Sequence, residues 1–436
     1  MSILNRQQLL GNARGELGFA RRVLLEVIEE ALKAADPRKA VERFLRLEDG
    51  KLAVGDETFE IKGRILVISF GKAARPMFEA ALSRLGKVNR ALAVVPRGQG
   101  GFEQAVEAGH PLPDEGSLRA GELVRSMLSD LSERDLVIYL ISGGGSAMLE
   151  VLPPGISLGD LRRTNELLLR CGASIHEVNA VRKHLSLVKG GQLARMSQPA
   201  QVLSLLLSDV PGDVKHVIAS GPTEPDPSSF RDAYEVLSKY QLLDRVPSSV
   251  RGWMERGLRG EAEETPKPGD EVFLRCRSWI VASNSLSLKA AGEVGKKYGF
   301  KTSFSELAGE AREMGARMAA VLERGLHLFG GETTVTVRGP GKGGRNQELV
   351  LSASPHLSGR RSALFSIGTD GIDGETDAAG AMADGLTLER ARALGMDPGD
   401  FLARNDSYHF FKALGDLLFT GPTGTNVMDV AAIINL

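Results

Sequence analysis

Lys72 and Arg345 are the residues whose placement most needs a chemical reason. Lys72 lies in SFGKAA, directly after a strand-like run and at the start of a helical one, and Arg345 lies in GGRNQE, again at a helix start. A cation there opposes the helix macrodipole, so stability alone selects against it, whereas a bound phosphate or carboxylate selects for it. Arginine adds a planar fork that pairs bidentately with such anions. A solvated surface role is the plain alternative for Lys72.

A third element points the same way. In SGGGSAM, residues Ser142, Gly143, Gly144, Gly145 and Ser146 follow an apolar run and precede a helix start. Consecutive glycines let backbone N–H groups approach an anion closely. The stretch lacks the spacing of a P-loop and, with Ala147 and Met148 after Ser146, lacks the second glycine of a nucleophile elbow. A tight strand-to-helix turn is the alternative reading.

Loop carboxylates complete the inventory: Asp209 and Asp213 in SDVPGD, and Asp370, Asp373, Glu375 and Asp377 in TDGIDGETDAAGA. Magnesium uses one or two protein carboxylates and fills its shell with water and phosphate oxygens, so such loops suit it, although turn and cap roles account for some of these acids. Asn346 joins Asp209, Asp213 and Asp370 as a substrate or metal candidate, with Asp209 and Asp370 the expected metal ligands, and Asn284 offers a further hydrogen-bonding group. His110 and His184 read as turn and helix residues. The cysteines, Cys171 and Cys276, have no metal-ligand spacing.

Gly339, Gly341 and Gly344 form a literal G-x-G-x-x-G. A dinucleotide fingerprint belongs to the first strand–turn–helix of its unit and is followed about 20 residues later by an acid. Here Pro340 and Lys342 interrupt the turn, and the next strand-like run meets no acid until Asp370. Many backbone donors, two misplaced cations and several loop acids, without an activated serine or a Cys–His pair, suit phosphoryl transfer better than hydrolysis or hydride transfer.

These residues must be positioned by a scaffold. A chain of 436 residues can bury two cores. Segments 64–74, 135–149 and 202–213 each read as an apolar strand running into a polar or Gly-containing turn, and such runs suit parallel strands covered on both faces, giving a doubly wound, Rossmann-like α/β fold for the larger N-terminal domain. A polar, Pro-containing stretch at 257–270 reads as a boundary, so the expected domains are 1–260 and 271–436, the second a smaller α/β domain, with the active site in the cleft between them. A net charge of −1 gives no footprint for nucleic acid or a membrane surface. No signal peptide or membrane span is read, so the expected location is cytoplasmic and the expected partners are small molecules, with a homodimer left open.

The chain resembles the MOFRL-type glycerate 2-kinases, with an N-terminal kinase-associated domain and a C-terminal MOFRL domain. The resemblance runs from about Arg14 to Asp429 and rests on SFGKAA, AGHPLPDEGS, LISGGGSAML, NAVRKHLSLVKGGQLA, LLSDVPGDVKHVIASGPTEPD, GGETTVTVRGPGKGGRNQE, GTDGIDGETDAAGA, and ARNDSYHFF followed by GDLLFTGPTGTNV. It implies ATP- and Mg²⁺-dependent phosphorylation of the 2-hydroxyl of D-glycerate, giving 2-phosphoglycerate. It also implies that Lys72 and Arg345 are active-site residues, sharing the transferring phosphate and the glycerate carboxylate. The 142–146 loop, with Asn284, would then hold nucleotide phosphates, and Asp209 or Asp370 would hold Mg²⁺ or receive the hydroxyl proton. The alternatives are an NAD(P)H-dependent hydroxypyruvate reductase and a kinase giving 3-phosphoglycerate.

Overall fold

The computed structural model describes residues 2–48 and 50–436, which form two compact units. The first is Pro37–Val281, and the second joins the residues up to Asp36 to Ala282–Leu436.

A six-stranded sheet organises the first unit, in the spatial order Ala105–Ala108, Arg90–Pro96, Ile65–Phe70, Leu136–Ile141, Gln201–Leu207 and Cys276–Ala282. Numbered along the chain this is 3-2-1-4-5-6, the doubly wound order, and the first five strands pair in parallel. Ile65–Phe70 and Leu136–Ile141 are buried at every position, because helices such as Ala74–Leu85 and Glu115–Leu128 cover the sheet. Four further helices, Leu158–Arg170, Ile175–His184, Phe230–Lys239 and Ser248–Leu258, share their own apolar cluster around Leu168, Val181, Phe230 and Met254. Ser157, Ser174 and Ser229 start three of them through reciprocal capping boxes. A small antiparallel sheet of Leu45–Glu48, Lys51–Val54 and Glu57–Glu60 was not foreshadowed in the sequence.

The second unit holds a mixed sheet in the order Thr302–Glu310, Gly325–Thr334, Asp429–Asn435, Ser362–Gly368, Gly380–Asp384 and Leu417–Leu418. Its first two strands are parallel and the remaining pairings antiparallel.

The compact units divide the chain differently from the expected 1–260 and 271–436. The helix Gly15–Ala34 buries Leu24, Leu25, Ile28 and Leu32 in one core with Leu288, Phe365 and Ile434, so the N-terminal residues belong with the C-terminal half. At the other end, the polar stretch 257–270 is a surface excursion inside the first unit. Thr265 Oγ1 donates to Asp226 Oδ2 at 3.0 Å, Glu264 meets His184 Nε2 at 2.7 Å, and the chain then enters the sheet's edge strand Cys276–Ala282. Polarity and proline mark exposed chain, and exposed chain need not end a domain. Among the described residues no helix is long and apolar enough to cross a membrane.

Candidate active site

In a 3-2-1-4-5-6 sheet the crevice opens between the first and fourth strands, beyond their carboxyl ends. The segment after Ile65–Phe70 carries Lys72, and the segment after Leu136–Ile141 carries Ser142–Ser146. Lys72 N donates to Gly143 O at 2.9 Å, and Ala73 N donates to Ser142 Oγ at 3.0 Å, so the two turns are laced together. Lys72 itself is exposed, just ahead of the helix Ala74–Leu85, with no ion-pair partner for its ammonium among the described residues.

Glycine is required here by close approach. Gly71 has φ +116°, and a Cβ on it would lie 2.4 Å from both Ser142 O and Ser142 Oγ. Gly71→Ala is therefore expected to destabilise the protein by about 1–3 kcal/mol and to disturb both turns, read as an earlier urea midpoint with reduced turnover. An unchanged midpoint and turnover would show that the contact yields freely. A Cβ on Gly143 would lie 1.8 Å from Asp209 Oδ2, which places the Asp209 carboxylate against the glycine turn.

Around this point lie two cavities. One, of about 330 Å³, is lined by Gly144, Ser146, Asp209, Asn165, Arg182 and Lys189 among others. The other, of about 530 Å³, is lined by Lys72, His110, Arg97 and Arg162 among others. His110 borders both, and its pKa is lowered by burial and by the neighbouring Lys72, both of which disfavour the imidazolium. Its turn position is as the sequence suggested, but its place beside Lys72 is not. His184 is structural, bonded to Ala180 O and Glu264.

Two more features escaped sequence reasoning. Ala219 and Ser220 adopt φ of +48° and +62°, a strained region for side-chain-bearing residues, beside the same turn. Ser220 Oγ pairs with Ser146 Oγ at 2.9 Å and donates to Asn179 Oδ1 at 2.9 Å. Nothing in local composition signals such a backbone.

The second unit gathers the other candidates. A cavity of about 650 Å³ is lined by Thr333, Gly344, Arg345, Asp370, Asp373 and Asn405 among others. Arg345 starts the helix Arg345–Leu357, but it is already engaged: its Nε donates to Asp429 Oδ2 at 2.6 Å, and its Nη2 donates to Asp429 Oδ1 at 2.9 Å and Glu332 Oε1 at 2.8 Å. Burial opposes its charge, yet the two carboxylates more than offset this and hold its pKa above the usual arginine value. The helix start is engaged as well, since the buried Asp373 carboxylate accepts from Asn346 N at 3.0 Å and Gln347 N at 2.8 Å. A carboxylate from this chain thus takes the place where a dinucleotide pyrophosphate would sit.

The glycines of the opening G-x-G-x-x-G have the same kind of use. A Cβ on Gly339 or Gly341 would come within 2.4 Å of Arg404 backbone, and one on Gly344 within 2.3 Å of Asp373. Asn346 gives its amide to Asp373 and accepts from Ser366 Oγ, and Asn284 donates to Val427 O and Asp429 O at 2.9 and 2.8 Å. Both are buried scaffold residues that set the position of Asp373 and Asp429, and neither lines a cavity named above. Asn284 also lies in a different unit from the 142–146 loop with which it was grouped. Asp370 lines the 650 Å³ cavity and accepts from Ile372 N at 3.1 Å, while Asp213 lines neither the 330 Å³ nor the 530 Å³ cavity.

The domain of unknown function DUF4147 matches residues 23–255, and the MOFRL family matches residues 325–429. A glycerate 2-kinase of Pyrococcus horikoshii is 44% identical over 95% of this chain and 97% of its own. A D-glycerate 2-kinase of Thermotoga maritima is 39% identical over 94% and 97%. A protein of Agrobacterium vitis, 41% identical over 95% and 94%, bears a provisional hydroxypyruvate reductase name. Among solved structures, a Pyrococcus horikoshii protein superposes with a TM-score of 0.87 at 44% identity, covering 95% of this chain and 98% of the other. A glycerate kinase of Thermotoga maritima gives 0.84 at 37% identity, covering 95% and 99%.

Proposed function

The chain belongs to the MOFRL family of glycerate kinases, and on that basis we propose that it transfers the γ-phosphoryl group of ATP to the 2-hydroxyl of D-glycerate, giving 2-phosphoglycerate. The observation that carries this reading onto residues is the junction of Lys72, the Ser142–Ser146 turn and Asp209 at the switch point of the first sheet. Phosphoryl transfer asks for positioning and charge neutralisation more than for covalent chemistry. Lys72 supplies a cation with no ion-pair partner among the described residues, the glycine turn supplies close backbone approach, and Asp209 is a carboxylate within reach of the same turn.

In the reaction the glycerate O2 forms a bond to the γ-phosphorus as the bond from phosphorus to the β,γ-bridging oxygen breaks. ADP leaves with that electron pair, and the hydroxyl proton passes to a carboxylate, which we assign to Asp209. Among the described residues no three His, Cys, Asp or Glu side chains gather as a metal cluster. Magnesium needs only one or two carboxylates when phosphate oxygens complete its shell, so a single carboxylate such as Asp370, which lines the 650 Å³ cavity, would fit an ion that arrives with the nucleotide. When bound, that ion would neutralise phosphate charge. Arg345 acts in this reading through its remaining capacity toward the 650 Å³ cavity, with Asp429 and Glu332 holding its fork in place.

A ³¹P NMR time course with D-glycerate, ATP and Mg²⁺ tests the proposal. A new phosphomonoester resonance assigned to 2-phosphoglycerate is the expected result. The 3-phospho isomer would overturn the regiochemistry. Steady consumption of NAD(P)H with hydroxypyruvate, without any phosphoester, would overturn the kinase reading.

A further inference from the structure

Three buried or half-buried cations lie close together in sequence in the first unit, and two of them have obvious counter-charges. Lys189 pairs with Glu150, and Lys183 Nζ meets Asp226 Oδ1 at 3.0 Å. Arg182 is the exception: among the described residues no carboxylate lies within ion-pair distance of it. The acid whose field it feels is Glu150, and the Glu150 oxygens are taken by Lys189, Ser186 Oγ and Val151 N. Burial accordingly pulls the Arg182 pKa below the usual arginine value.

Arg182 is not loosely held. It sits in the last turn of the helix Ile175–His184, and its Nε donates at 2.9 Å to Asn165 Oδ1, on the helix Leu158–Arg170. Spending Nε on Asn165 fixes the guanidinium plane and leaves the Nη donors for another partner. Both Arg182 and Asn165 line the cavity of about 330 Å³ that also reaches Gly144, Ser146 and Asp209. A favourable position near the C-terminal end of a helix dipole explains why a cation is tolerated there. It does not explain why the cation faces a cavity without a counter-ion, an arrangement that costs free energy until an anion arrives.

We propose that Arg182 anchors the carboxylate of the acceptor acid, so that D-glycerate occupies this cavity with its C1 carboxylate on the Arg182 fork and its 2-hydroxyl toward Ser146 and Asp209. The inference rests on the kinase reading above and deepens it by separating two roles. The carboxylate of the small acid is read by Arg182, and Lys72 is left for phosphate. Short 2-hydroxy acids meet this requirement, and glycerol, which has the hydroxyls without the carboxylate, does not. Asn165 is a positioning residue for Arg182.

The test is steady-state kinetics of Arg182→Met and Arg182→Lys beside the unmodified protein, with D-glycerate, glycerol and ATP each varied and thermal unfolding followed in parallel. Losing a charge-assisted bidentate contact should raise the KM for D-glycerate about 100-fold in Arg182→Met. The KM for ATP and the unfolding midpoint should stay close to their original values. Arg182→Lys, with a charge but no fork, should fall between. The preference for D-glycerate over glycerol should collapse in Arg182→Met. A D-glycerate KM that does not move, or a KM for ATP that rises in its place, overturns the inference while leaving the kinase reading intact. An unmodified protein that phosphorylates no D-glycerate overturns both. If Arg182→Met does not fold, Arg182→Lys with Asn165→Ala carries the same comparison, because both keep the charge and disturb only the geometry of the fork.

Discussion

Lys72→Ala is expected to lower kcat by about 10³-fold, the scale of removing a preorganised cation from a developing phosphoryl charge, and to leave the unfolding midpoint where it was. Its separation of effects makes the experiment informative. Lys72 is exposed and has no ion-pair partner among the described residues, so the folded state has little to lose when the ammonium is removed. Its backbone N–H still bonds Gly143 O in the alanine variant, which keeps the two turns laced. Rapid-quench or coupled-assay kinetics at saturating ATP and D-glycerate would measure the change, and a kcat within tenfold of the original would remove Lys72 from the catalytic assignment. Arg345→Ala is a less clean comparison. It strips the guanidinium from Asp429, a buried carboxylate, so lost activity would be mixed with lost stability.

The second large effect is on stability. Arg21 is fully buried, and its guanidinium donates to Asp384 Oδ2 at 2.5 Å, to Asp416 Oδ1 at 2.7 Å and to Leu9 O at 3.1 Å. Arg390 also pairs with Asp416, and Asn12 Nδ2 donates to Asp416 Oδ1 at 2.9 Å. Two carboxylates thus face two guanidinium groups in a closed network. Arg21→Met leaves those carboxylates short of one cation in a dry interior, and the expected loss is about 3–5 kcal/mol of unfolding free energy. The measurement is a urea titration followed by tryptophan-independent circular dichroism, with the midpoint of the second unit shifted to lower denaturant. A midpoint that does not shift would mean that water reaches Asp384 and Asp416 once the arginine is gone.

Arg21 also shows where sequence reasoning reached its limit. The helix Gly15–Ala34 carries its apolar residues at helical spacing, which is local information. Its allegiance to a sheet built from residues beyond 300 is not local. Nothing near Arg21 announces that its counter-charges are Asp384 and Asp416, more than 360 positions away. The compact units do not part at 257–270 for a related reason, since composition reports exposure while a unit is defined by which strands share hydrogen bonds.

For the site the division falls elsewhere. The sequence by itself determined the doubly wound scaffold, because fully apolar strands alternating with helices admit few arrangements, and it determined that Lys72, the Ser142–Ser146 glycines and Asp209 lie at strand ends. Tertiary structure decided which of the suspected charges are available. Lys72 and Arg345 look alike in sequence, each a cation at a helix start, yet Arg345 is held by Asp429 and Glu332 while Lys72 has no such partner among the described residues. Asn284 and Asn346, polar candidates in the sequence, are buried and hydrogen-bonded to the chain itself. Arg182 drew no attention in a basic run, because the sign of a charge is written in the sequence, whereas whether it is already neutralised depends on distances that only the folded chain sets.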